Sequence, residues 1–242
     1  MSTWLSEELS QEISIGMTTI GTYMLVCVLI AVVIRLLLPL PDEVYRKFLH
    51  VIVIGMYYLW TTSFSHWTVA AGTMIAMVVV LYPVLVILDL IPAFGAFLNE
   101  RKKGELQHSI LWMGAAFVIV IALSWGIFKS QQVAICAFFS WGFGDAAAAV
   151  IGVRFGKHKI GKEKRKSVEG TLACFVFSFF GVLLGLHLRG ALSLWDFIVV
   201  IPMTAFVTTV TEFYSPKGSD TILCPVAAVG SLLITLGLTG QL

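Results

Sequence analysis

The chain has 242 residues, of which 58% are hydrophobic and only 12% charged, about half the charged share of a soluble domain. Its mean hydropathy is +0.93, and seventeen Phe and seven Trp add apolar bulk that a domain of this size cannot withdraw from water. The composition excludes a soluble enzyme, a disordered chain and a disulfide-stapled secreted module, and points to an integral membrane protein.

A helix needs roughly 20 mostly apolar residues to cross the hydrocarbon core. Eight runs meet that need, from about Met17 to Leu38, Phe48 to Phe64, Trp67 to Leu88, Ser109 to Phe128, Val133 to Val153, Gly170 to Leu188, Phe197 to Phe213 and Ile222 to Leu238. None alternates strictly, as barrel strands would, so the expected fold class is all-α, a polytopic membrane helical bundle. Glu7, Glu8 and Glu12 precede the first run where a cleaved signal peptide would carry basic residues, so that run is expected to remain in the mature protein. No repeat period, linker or composition break interrupts the chain, and residues 1–242 are expected to form a single membrane domain. Cys27, Cys136, Cys174 and Cys224 lie in or beside apolar runs without C-x-x-C spacing. They read as small buried hydrophobes.

Lys and Arg are retained on the cytoplasmic side. With eight spans and both termini outside, that side receives Arg35, Arg46, Lys47, Arg101, Lys102, Lys103, Arg154, Lys157, Lys159, Lys162, Lys164, Arg165, Lys166 and Lys217. Only Lys129 and Arg189 fall outside, a split of 14 to 2 among the 16 basic residues. Dropping any one internal helix spoils it.

Ionisable groups at helix ends are costly to bury without partners, and four clusters of them share the expected cytoplasmic face. Residues 46–50 hold Arg46, Lys47 and His50; residues 100–108 hold Glu100, Arg101, Lys102, Lys103, Glu105 and His108. The third cluster spans 144–170. Asp145 lies inside the fifth run, flanked by small residues, and Lys166-Ser167-Val168-Glu169-Gly170 opens the sixth helix. A helix start with free N–H groups, a hydroxyl and adjacent Lys is suited to phosphate. The fourth cluster, within 212–225, holds Glu212, Lys217 and Asp220. Taken singly, each part has a plainer reading. The basic loop would be a topology signal on anionic lipid, Ser167 a helix N-cap with Glu169 in the first turn, Asp145 the partner of a nearby cation, and His50 an interfacial histidine. His66, His158 and His187 keep such plain readings. On one face together, carboxylates suited to Mg²⁺ and cations suited to phosphate indicate a nucleotide–metal site.

Gly144-Asp145-x-x-Ala148-x-x-x-Gly152-x-x-x-Gly156, followed by Lys166-Ser167-x-Glu169-Gly170, resembles the CTP-dependent polyprenol kinases, a family that includes dolichol kinase, phytol kinase and fungal CTP-dependent diacylglycerol kinase. Arg46-Lys47-x-x-His50, Glu100-Arg101-Lys102-Lys103-Gly104, and Glu212 with Ser215-Pro216-Lys217-Gly218-x-Asp220 and Pro225 resemble its other signatures, in family order over residues 46–225. Thr221 stands where the family often has Asn, and a hydroxyl cannot mimic both ends of an amide.

The resemblance implies transfer of the γ-phosphoryl of CTP to the hydroxyl of a membrane lipid alcohol, with Mg²⁺ as cofactor and the bilayer as the second partner. No nucleic-acid partner is expected. Asp145, Glu169, Glu212 and Asp220 are the expected metal ligands. Arg46, Lys47, Arg101, Gly152, Gly156, Lys157, Lys159, Lys162, Ser167, Gly170 and Lys217 would hold the nucleotide. Asp145, Glu100, His50 and Lys166 are the expected catalytic residues, with Glu105 a further candidate to orient the lipid hydroxyl. The alternatives are a membrane cytidylyltransferase releasing pyrophosphate, a transporter, and a lipid-binding scaffold. A transporter places its binding groups near the midplane, whereas here they gather at one face.

Overall fold

The structure, a computed structural model, describes residues 2–91, 104–161, 166–188, 190, 192–216 and 218–240, excepting the side chains of residues 2–6 and 105. It is an all-α polytopic membrane protein. Eight helices are described: α1 (Ser2–Leu37), α2 (Asp42–Thr62), α3 (Trp67–Leu88), α4 (Glu105–Ile121, continued by a π-helical turn at Ala122–Ile127), α5 (Gln131–Phe155), α6 (Val168–His187), α7 (Ile201–Tyr214, entered through a π-helical turn at Asp196–Val200) and α8 (Asp220–Leu238). Seven are long and apolar enough to cross a membrane. The eighth, α2, begins six residues' worth of polar chain earlier than its apolar run, because Pro41 precedes it and Asp42 and Glu43 fill its first turn, where acidic groups favour a helix N-terminus.

The chain divides into two compact units, Met1–Val118 and Ile119–Leu242. In the first, aromatic side chains with polar tips tie helices through backbone carbonyls. Tyr23 donates to Ile52 O at 2.9 Å, Tyr57 to Met113 O at 2.7 Å, and the Trp60 indole to Ala70 O at 3.0 Å. Tyr57 and Trp60 bury their rings and Tyr23 is half-buried, while each N–H or O–H finds an acceptor.

The second unit is organised by α5 and α6. Along this pair, Gly144 faces Cys174 and Ser178, Gly152 faces Gly170, Phe139 faces Gly181 and Cys136 faces Gly185. Numbers rise on one helix as they fall on the other, so the two are antiparallel. A Cβ at Gly181 would sit 2.5 Å from Phe139 O, and one at Gly170 2.9 Å from Ala148 O. The backbones are in contact, which only small residues permit. Hydroxyls complete the interior: Ser178 donates to Ser140 O at 2.8 Å, Ser140 and Thr208 pair at 2.8 Å, and Thr204 and Ser231 at 3.4 Å. Beyond α5, Lys159–Ile160 and Lys166–Ser167 pair antiparallel, with Lys159 opposite Ser167 and Ile160 opposite Lys166. This short ribbon returns the chain to the start of α6.

Candidate active site

The tight α5–α6 packing brings the last turns of α5 and the first turn of α6 around a polar cavity of about 180 Å³. Asp145, Ala148, Ala149, Gly152 and Val153 line it from α5, Lys159, Lys166 and Ser167 from the ribbon, Gly170 and Thr171 from α6, and Glu212 from α7. Asp145 and Glu212 are buried. The Lys166 ammonium donates to Glu212 Oε1 at 2.6 Å and to the Glu212 backbone carbonyl, a partly buried ion pair joining residues 46 positions apart. Lys159 Nζ reaches Gly152 O at 3.4 Å. Asp145 and Glu212 face the same cavity, and Asp220 opens α8 a few residues after α7 ends.

Each element holds its side chain for a local reason. Ser167, in extended conformation, caps α6 by accepting from Gly170 N–H at 3.1 Å. Val168 N–H donates to His158 O at 3.0 Å. Two of the amides that the sequence offers for an anion are therefore already donating inside the protein, and the charge for an anion falls to Lys159 and Lys166. Gly152, Gly156 and Gly170 act by leaving room: a Cβ at Gly156 would come within 2.6 Å of Ser167 Oγ, and one at Gly170 within 3.1 Å of the Gly152 Cα. Glu169 is occupied elsewhere. Its carboxylate accepts from the His158 backbone N–H at 3.2 and 3.3 Å and meets His158 Nδ1 at 2.7 Å, fastening the turn after α5 to α6, and it does not line the cavity.

Apart from Gly156 and Glu169, the expected site residues thus fall into four groups. Asp145, Gly152, Lys159, Lys166, Ser167, Gly170 and Glu212 line one cavity. Lys157 is exposed in the segment that follows α5, and Asp220 opens α8, accepting from Thr221 N–H at 3.1 Å. Arg46, Lys47 and His50 belong to the first unit, where Arg46 pairs with Glu43 at 3.3 Å and His108 meets Gly104 O at 2.8 Å. Glu100, Arg101, Lys102, Lys103, Lys162, Lys164, Arg165, Lys217 and the Glu105 side chain lie outside the described residues.

Thr171, which also lines the cavity, was not singled out from the sequence. Its place next to Gly170, in the first turn of α6, is the signal that points to it.

Among the described residues, no group of three or more His, Cys, Asp or Glu side chains is arranged to hold a metal ion. Mg²⁺ does not require one: it is usually held by one or two carboxylates together with substrate phosphates and water. Asp145 and Glu212, hard oxygen donors on one polar cavity, fit that demand.

Membrane-spanning helices with a cavity lined by carboxylates and ammoniums define a membrane protein with a candidate polar site. The comparisons narrow it. A protein named phytol kinase from Synechocystis sp. is 30% identical over 229 residues, covering 92% of this chain and 90% of its own length. The chain belongs to the polyprenol and phytol kinase family. No protein-family model and no solved structure matches it.

Proposed function

We propose that this protein is a lipid-alcohol kinase that transfers the γ-phosphoryl of CTP to the hydroxyl of a membrane polyprenol or related lipid alcohol. The observation that carries this reading is the meeting of Asp145, Lys159, Lys166 and Glu212 on one cavity, at the motif resembling CTP-dependent polyprenol kinases. Phytol, the lipid alcohol in the relative's name, supports the acceptor class.

Phosphoryl transfer leaves a protein little covalent work; catalysis is positioning and neutralisation of charge on the phosphate oxygens. Lys159 and Lys166 supply positive charge, and Asp145 with Glu212 would hold Mg²⁺. Once bound, that ion would offset charge on the phosphate oxygens. At about 180 Å³ the cavity is smaller than the 300–1,000 Å³ usual for a whole ligand. It suits a polyphosphate and its cation, with the nucleoside outside. Val153, exposed at the cavity's edge, gives it an apolar flank along which an acceptor's hydroxyl would approach while its tail stays in lipid.

The split of basic residues supports a site on the cytoplasmic face, with both termini outside. Single cysteines at Lys157 and Lys129, in a background lacking the four native ones, test this: only position 129 should label from outside intact cells.

The activity test uses purified protein, γ-labelled CTP, Mg²⁺ and a panel of lipid alcohols. Label in a lipid phosphate, with CDP released, supports the kinase. Pyrophosphate release with CMP joined to lipid would instead identify a cytidylyltransferase, and no transfer to any alcohol would overturn the proposal.

A further inference from the structure

Thr171 Oγ1 is buried and finds no hydrogen-bond partner among the described residues, yet Thr171 lines the cavity. Such a hydroxyl is unusual, because losing water without gaining a partner is costly. The chain provides its own controls. Thr61, Thr73, Thr209, Thr211 and Thr235 all donate to the carbonyl four residues earlier, at 2.7–2.8 Å, as helical threonines commonly do. Thr204 and Thr208 instead pair with serine hydroxyls across helices. Thr171 does neither. The carbonyl four residues back is that of Ser167, an extended residue before the helix begins.

The surroundings decide what this hydroxyl is for. Two of the first amides of α6 already donate to His158 and Ser167, so the helix start offers few backbone donors to an anion. Lys159 and Lys166 bring charge, but their flexible stems fix geometry poorly. A threonine hydroxyl on a helix is confined to two side-chain rotamers, far fewer than a lysine stem explores.

Resting on the kinase reading above, we infer that Thr171 is a nucleotide-positioning residue, donating its hydroxyl proton to a phosphate oxygen of the phosphoryl donor. The unpartnered hydroxyl is the cost of keeping that donor ready.

The test compares Thr171→Val, which keeps the shape and removes the hydroxyl, with Thr171→Ser, which keeps the hydroxyl. Asp145→Asn serves as the reference for the cavity. Thr171→Val is expected to weaken CTP binding in the presence of Mg²⁺, and to raise the KM for CTP, by roughly ten- to a hundredfold, the loss of one hydrogen bond to a charged group. The KM for lipid alcohol should stay put and Thr171→Ser should rescue. The ligand-free melting temperature of Thr171→Val should equal or exceed that of the native protein, since an unsatisfied hydroxyl has been removed. A fall in melting temperature would assign Thr171 a structural role, and a shift in lipid KM alone would move it to the acceptor side; either overturns the inference. So does unchanged CTP binding in Thr171→Val while Asp145→Asn loses activity. If Asp145→Asn also keeps full activity, the kinase reading of the cavity fails with it.

Discussion

Helices α3 and α5 invert the rule that governs soluble proteins. In α3, the more apolar of the two, only 11% of the apolar window is buried within the protein; in α5, 72% is. Val79 and Val80 of α3 are exposed, while Ser140 and Asp145 of α5 are buried. Lipid accepts Val and Leu as readily as a protein core does, so hydrophobicity does not draw α3 inward. Polar and small residues, which lipid solvates poorly, collect inside. In this chain hydropathy marks the surface, and its local deficits mark the site.

The contrast can be broken in graded ways. Asp145→Asn on α5 keeps the shape and removes the charge proposed to hold Mg²⁺. Turnover in the labelled-CTP assay should fall by roughly 10²–10³, comparable to losing a preorganised electrostatic contact, with the thermal melt little altered. Near-native turnover at limiting Mg²⁺ would reduce that carboxylate to a structural partner. Next comes Gly181→Leu, which drives a side chain into the Phe139 backbone and should cost about 1–3 kcal/mol or more, read as a lower melting temperature in detergent. Its counterpart, Gly72→Leu on α3, meets nothing within 4 Å and should leave the melt unmoved. Ser140→Ala removes an interhelical bond to Thr208, worth about 0.6 kcal/mol within a membrane protein. Val79→Ala, on the lipid side of α3, should change stability by less than about 0.5 kcal/mol. If Gly72→Leu destabilises as much as Gly181→Leu, the distinction between the two helices fails.

Much of this was legible beforehand, because bilayer thickness fixes helix length and eight apolar runs give eight helices. The start of α6 was legible too: Ser167 caps it, a local signal within three residues. Where α2 begins was less so, since hydropathy locates hydrocarbon depth and misses Asp42 and Glu43. The central motif supplies much of the cavity's lining, for Asp145, Gly152, Lys166, Ser167 and Gly170 all reach it. What the sequence did not disclose was pairing at a distance. Lys166 is engaged by Glu212 and Glu169 by His158, contacts set by how helices meet. Nor does composition register the π-helical turns at Ala122–Ile127 and Asp196–Val200.

The backbone contact between α5 and α6 also bears on how the protein is made. A carboxylate such as Asp145 inside a membrane helix is costly to insert without a partner, and the glycines along α6 expose peptide groups until a neighbour covers them. Each helix alone is a poor passenger of the bilayer. Joined through the short ribbon, they shield one another's liabilities, which favours their leaving the insertion machinery as a hairpin. A ribosome stalled before α6 would then hold α5 in waiting, and a defect at Gly181 would register first as failed integration.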